Sequence, residues 1–353
     1  MAIPYHAQIW VPGYVRQQFR RCVAPRRLWV VIADHFEPWN MNREGQADFA
    51  MVHRWCREWP KIASRHRDSA GRAPQYAFFY PAEQYHQDLL EPLRALVQEG
   101  IADVEVHIHH DGDTETRFCE RMRGFVETLH SRHGFLRLKQ GKLQFAFIHG
   151  NWALDNSRPD GRWCGLNNEI LLLQKLGCYA DFTLPSAPHP TQTRVVNTVY
   201  WAVDDPLRPK SHDRGIPVCP GCPEGDLLMV PGPLGFNFRG GRRLPRLETG
   251  EIAWYDPPVL GRTRSWIRLA PRIGGDIILK LFTHGAQTGN AEALLNGGLD
   301  ALFEDLTAEC ERQNLELHYA SPWAVRLVID GLSRGAELGQ ETAQPLSGSG
   351  SSR

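Results

Sequence analysis

No stretch of this chain comes near the roughly 18 consecutive apolar residues that a membrane-crossing helix needs. Neither sign of charge prevails, since 40 Lys+Arg stand against 40 Asp+Glu for a formal net charge of +0. That balance removes the basic footprint on which a general nucleic-acid binder depends. The eight cysteines, at positions 22, 56, 119, 164, 178, 219, 222 and 310, are too sparse for a disulfide framework in a chain of 353 residues and read as reduced thiols. The opening residues MAIPYHAQIWVPGYVRQQFRR lack the apolar core and small-residue cleavage site of a secretory signal. The expectation is a cytoplasmic protein with no nucleic-acid or membrane partner, its oligomeric state left open.

A hydrophobic fraction of 42% with 23% charged residues is ample for a globular core. Histidine is plentiful at 15, which opens metal and proton chemistry, and so are 11 Trp, suited to core packing or to stacking on sugar rings. Apolar or β-branched runs fall at 28–34, 75–80, 103–109, 143–149, 179–184, 195–203, 227–230, 277–282 and 315–319. Amphipathic segments at 47–67, 82–98, 114–133, 167–176, 291–313 and 322–334 lie among them. Strands alternating with helices in this way predict βαβ units, a parallel sheet and, at this number of repeats, an α/β fold closed or nearly closed into a barrel. The Pro- and Gly-rich stretch 204–262 breaks the rhythm and reads as a loop-rich insertion with short strands. Residues 1–335 then form one domain, and 336–353 a disordered tail.

The polar residues fall at the ends of the strands. Asp34 and His35 close the first run, in VIADHFEPW; His107, His109 and His110 close the third, in VEVHIHHDGD. His149 and Asn151 end the fourth, in FIHGNW, and His284 ends a late one, in LFTHGAQ. In parallel α/β folds the carboxyl edge of the strands is where an active site forms. Strand alternation sets His107 and His109 on one face, about 7 Å apart. Two such imidazoles with a carboxylate from a neighbouring strand make a three-ligand metal site with a position open for water. His110 is available as a further ligand, and Asp111 and Asp113 can orient the imidazoles or cap the helix that follows.

Asp34-His35, His107-Ile-His109-His110 and His284, in this order and at these strand ends, resemble the motifs of polysaccharide deacetylases with NodB homology. The resemblance implies a distorted (β/α) barrel of the glycoside hydrolase/deacetylase type and hydrolysis of an N-acetyl or O-acetyl group on an amino sugar or polysaccharide precursor. It implies a divalent metal ion, zinc foremost, held by His35, His107 and His109 with His110 in reserve. Asp34 would be the base and His284 the acid, with Asp34 as a metal ligand and Glu37 as base the alternative. Trp39, His149, Asn151 and Trp152 would meet the carbohydrate or small amide substrate, with Trp163 nearby. The chain departs from the family at His35, where a second Asp is usual, and at Asp111, where the second histidine of the pair is usual. A cyclic-amide hydrolase on the same barrel and a non-catalytic carbohydrate-binding barrel are the competing readings. An amidohydrolase fits less well, because its His-x-His belongs on the first strand. Cys219-Pro-Gly-Cys222 lacks the partners of a zinc site and is read as a tight turn whose thiols can pair, and FRGGRRLPR as a solvated loop.

Overall fold

Alternating apolar and amphipathic runs build strands and helices in turn, and the computed structural model describes residues 4–19, 23–40, 46–237 and 246–336. The strands that carry the site and its frame are β1 (Arg27–His35), β2 (Tyr76–Pro81), β3 (Ala102–Ile108), β4 (Lys142–His149), β5 (Cys178–Asp181), β6 (Tyr200–Ala202), β7 (Leu227–Met229), β8 (Asp276–Thr283) and β9 (Glu316–Tyr319). The main helices are α1 (Phe49–Arg65), α2 (Glu115–Ser131), α3 (Glu169–Leu176), α4 (Leu260–Leu269), α5 (Leu299–Gln313) and α6 (Pro322–Ser333). All nine strands belong to one 12-stranded sheet with the internal order β6-β7-β5-β4-β3-β2-β1-β8. The ladders from β5 through β1 to β8 are parallel, and β6 runs antiparallel to β7. β9 pairs with Arg27–Val30 of β1, while β2 pairs with Ala33–His35 further along the same strand.

Most strands present two apolar faces, as expected of a sheet covered on both sides, while β3 turns Asp103, Glu105 and His107 to one of them. Leu28, Val30 and Ile32 of β1 pack with Phe78, Val106 and Leu279 against Trp55, Trp59, Phe118, Ile170, Trp266 and Phe303 of the surrounding helices. Val31 and Ala33 point the other way, into a cluster with Phe79, Ile148, Phe182, Val230 and Ile278 that α6 completes with Val325, Val328 and Ile329. The ladder is open at its ends among the described residues, yet the sheet is strongly curled. Lys280 on β8 donates from Nζ to the carbonyl of Leu184, just beyond β5, at 2.9 Å.

Several elements depart from the expectations. The segment 82–98 is a 3₁₀ turn followed by two short helices, Gln87–Leu90 and Leu93–Gln98; Pro92 lacks the N–H that a continuous helix would need there. The apolar run 195–203 yields only β6, because Asn197 takes a left-handed φ of 49° and its amide pairs with both backbone groups of Leu234. Two helices, Ala7–Gln18 and α4, were not expected. In α4 the apolar pattern is diluted by arginines, one of which, Arg262, is buried through its ion pair with Glu248 at 2.8 Å. The stretch 204–262 is more than an excursion, since it gives β7 to the main sheet. Cys219 and Cys222 are joined in a disulfide. Residues 238–245, with most of FRGGRRLPR, and the tail from 337 lie outside the described residues. No helix among the described residues is long and apolar enough to cross a membrane.

Burial pushes the Lys280 amine down to about 7, against the pull of Asp181. Its unfolded value is near the usual ~10.4, so between these two values the unfolded chain binds the extra proton and stability rises with pH. Lys280→Met removes that gain. The melting temperature of the variant relative to the parent protein is therefore expected to be more favourable at pH 6 than at pH 9, as followed by thermal unfolding; an equal difference at both pH values would contradict the assignment.

Candidate active site

The parallel registers bring the carboxyl ends of β8, β1, β2 and β3 into one row: Asp34 lies level with Thr283, His35 with Phe79 and Pro81 with His107. Alternation then sorts the polar residues. His35, His107 and His284 share the face of Val31, Ala33 and Ile278, and their rings gather, with His35 5.2 Å from His107 and 4.7 Å from His284 between centroids. Glu37, two residues past β1, bends back over them. Its Oε1 is 3.2 Å from His107 Nε2 and 3.5 Å from His109 Nε2. One donor atom each from His35, Glu37 and His107 lie within 4.8 Å of one another.

The imidazoles are fixed from behind. His107 Nδ1 donates to the Ile148 carbonyl at 2.8 Å, which aims Nε2 at Glu37 Oε1. His109 Nδ1 is held by Glu83 Oε1 at 2.5 Å, and Glu83 also accepts the His109 backbone N–H. Gly150 sits against this ring, and a Cβ there would overlap it. Burial, reinforced by the neighbouring His284, His107 and Lys280, holds His35 well below its ordinary value, so it is neutral. His284 is lowered by burial too. Burial raises Glu37, but the hydrogen bond and charge of His107 outweigh it and hold the carboxylate at about 2. His109 goes the other way: burial lowers it, while Glu83 and Glu37 together raise it above its usual range. A neutral His35 and an ionised Glu37 are the forms a metal ion binds. The buried His35 Nε2 has no hydrogen-bond partner among the described residues, so this set of two nitrogens and an oxygen fits a divalent cation.

Asp34, expected as the base, is not in this group. Being adjacent to His35, it faces the helical layer, fully buried. Oδ1 accepts the Gly285 N–H at 2.6 Å and Oδ2 the Tyr76 hydroxyl at 2.8 Å. Burial pushes its pKa up to about 8 in spite of those two bonds. Asp34 thus grips the turn after β8 and positions His284, the residue before its partner glycine.

His110 and His149 also face away from the group, for the same reason. They meet on the helical side of the sheet, where His110 Nε2 is 2.8 Å from His149 Nε2 and 3.0 Å from Glu169 Oε1, with Cys164 Sγ 3.3 Å from Glu169 Oε2. His110 is therefore not a reserve ligand for the first group, and His149, fully buried, is closed to substrate. Trp39 is half-buried, its backbone N–H on Gln84. Asn151 and Trp152 are half-buried with left-handed φ of 55° and 53°, conformations uncommon outside glycine. Trp152 and Trp163 flank His189, at 6.2 and 6.5 Å, with the Arg158 guanidinium 3.9 Å above Trp163. A cavity of about 200 Å³ lined by Lys139, Gln174, Trp201, Glu224, Trp323 and Arg326 opens near the amino ends of β4, β5 and β7, away from these groups.

Glu83, Cys164 and Glu169 had no place among the expected site residues. Each lies on a turn, loop or helix away from the strand ends that carry the histidines, and no spacing signal points to it. No protein-family model matches the chain, and no curated protein is significantly similar to it in sequence. Solved structures to which it is similar include the 4-alpha-glucanotransferase of Thermococcus litoralis, with 11% identity and a TM-score of 0.43 over 85% of this chain. Another is a protein of Parabacteroides distasonis provisionally described as a glycoside hydrolase/deacetylase, with 11% identity and a TM-score of 0.42 over 84% of this chain. The chain spans 43% of the length of the first and 69% of the second. Neither likeness is close enough to carry a residue role to this chain.

Asp34→Ala would leave two buried donors unpaired, at about 1–3 kcal/mol each. The expected outcome is a marked drop in the midpoint of denaturant unfolding with bound metal retained. Unchanged stability would return Asp34 to a role in the chemistry.

Proposed function

We propose that this protein is a metal-dependent hydrolase that removes an acetyl group from an amino sugar, its domain at 1–335 an incomplete (β/α) barrel. The observation that supports this reading is the convergence of His35, Glu37 and His107 at the carboxyl edge of the sheet, with His109 and His284 alongside. These three residues would hold the cation, whose Lewis acidity polarises the acyl group and acidifies a water molecule. In its neutral form, with the ring proton on Nδ1 towards Glu83, His109 would take the proton of the attacking water at Nε2. Glu83, bonded to its Nδ1, keeps the ring aimed and stabilises the imidazolium that results, as the carboxylate of a catalytic triad does. His284, on the opposite flank of His35, is placed to give a proton to the leaving amine. Asp34 holds the turn that sets His284 in place. Trp152, whose indole N–H has no partner among the described residues, would offer its ring to the sugar face.

The curl that carries Lys280 to Leu184 supports the barrel, and the neutral charge balance suits an uncharged carbohydrate. Acetate release from N-acetylglucosamine oligomers, measured with zinc, manganese or cobalt supplied, tests the reading. His107→Ala is expected to abolish both activity and one class of bound metal. His109→Ala should keep the metal and lose about 10²–10⁴-fold in rate, the usual share of one acid–base group, and Glu83→Gln should lose less. Absence of acetate release with every metal would overturn the proposal.

A further inference from the structure

We infer that His110, His149, Cys164 and Glu169 form a second, closed zinc site on the helical side of the sheet, structural in role and independent of the proposed hydrolysis. One donor atom from each lies within 4.8 Å of the others, and all four residues are buried. Cysteine, histidine and carboxylate are the donor types that zinc takes, and four of them with no position left for water match the closed arrangement of a structural site. The two Nε2 atoms at 2.8 Å stand slightly inside the separation of about 3.3 Å that tetrahedral bonds of about 2.0–2.1 Å require, so the rings need part by only a few tenths of an ångström.

Every donor is braced from its far side, as metal ligands are. His149 Nδ1 donates to the Gly150 carbonyl at 2.5 Å. His110 Nδ1 lies 3.3 Å from Asp113 Oδ2, and Asp113 is in turn held by the N–H of Thr114 and by Arg117. Glu169 Oε2 accepts the Asp155 N–H at 2.7 Å, which leaves Oε1 for the centre. Cys164 Sγ accepts two backbone N–H bonds, from Asn156 at 3.3 Å and Leu166 at 3.4 Å. The Cys164 thiol itself donates to Glu169 Oε2 at 3.3 Å, and a bound dication takes the place of that proton, since a coordinating thiol is deprotonated. One thiolate and one carboxylate neutralise a dication, and only a neutral ensemble is cheaply buried. The site would tie α3 and the loop between β4 and α3, with its left-handed residues Asn151, Trp152, Asp155, Asn156 and Trp163, to the end of β3.

Metal analysis of the purified full chain after dialysis against a chelator tests this. The expected result is about one retained equivalent of zinc in the parent protein and in His107→Ala, and its loss in His149→Ala and Cys164→Ser. After exchange with cobalt, the parent protein should show a sulfur-to-cobalt charge-transfer band in the near ultraviolet that Cys164→Ser lacks. If His149→Ala fails to fold, the cobalt band of the parent protein and the milder Cys164→Ser variant decide. A parent protein without chelator-resistant metal, or a cobalt form without the sulfur band, overturns the inference and leaves a buried His110–Glu169 ion pair. Failure of acetate release with this metal present would sink the hydrolase reading alone.

Discussion

Neighbouring residues of a strand face opposite ways, and the carboxyl ends of β1, β3 and β4, with the residues just past them, place polar groups on both faces of the sheet. The chain has used both faces. His35 and His107 turn towards the inner cluster and meet Glu37, while Asp34 and His149 turn towards the helices. One sheet edge therefore carries two polar centres back to back, and the strand between them is shared. His107 bonds the carbonyl of Ile148, and the next residue, His149, belongs to the other centre. A shift of one residue in the pairing of β3 with β4 would exchange their faces and abolish both centres. The apolar clusters hold that register through both faces of β4 and through Val104, Val106 and Ile108 of β3, and buried Glu105 on the inner face of β3 accepts the Ala146 N–H of β4.

Burial around these centres makes the polar groups costly unless each is bonded, and the turns after the strands are shaped to do this. Gly285 has no room for a side chain because the Asp34 carboxylate occupies that space, and its N–H is the bond that Asp34 receives. Gly150 likewise gives way to the ring of His109 and lends its carbonyl to His149. The inner centre differs from the outer in access. Glu37, Glu83 and His109 are partly exposed, with side-chain exposures of 22%, 30% and 29%, whereas the outer four are sealed. A centre with a wet side can admit a substrate, and a sealed one can only hold the fold together.

Much of this was legible in the sequence. The strand runs placed β1, β2, β3, β4 and β8 to within a residue or two, and the pairing of His107 with a histidine from β1 follows from strand-end placement. The same alternation could have separated Asp34 from His35 and His149 from His107, since adjacency alone sets each on the opposite face. Family resemblance favoured Asp34 as a base, and geometry overrides it. Other residues carried no signal for the place they take, Glu37 having been named only as an alternative base. Glu37 lies beyond the strand in a Pro-containing turn, where the chain direction is not set by period. Glu83 sits in a segment that reads as one helix and is broken by Pro92. Cys164 and Glu169 reach their partners through a loop with left-handed residues at Asn151, Trp152, Asp155, Asn156 and Trp163, and while Asn and Asp tolerate that region, the two tryptophans give no sign of it. α4 was hidden because its buried position 262 is an arginine, neutralised by a glutamate distant in sequence.

The central claim is that His35, Glu37 and His107 hold a divalent cation. Anomalous diffraction recorded on both sides of the zinc absorption edge, from crystals grown with zinc, tests it most directly. A peak bonded to His35 Nε2, His107 Nε2 and a Glu37 oxygen is the predicted result. A map with no peak among these three residues, from crystals in which zinc is bound elsewhere in the chain, would contradict it.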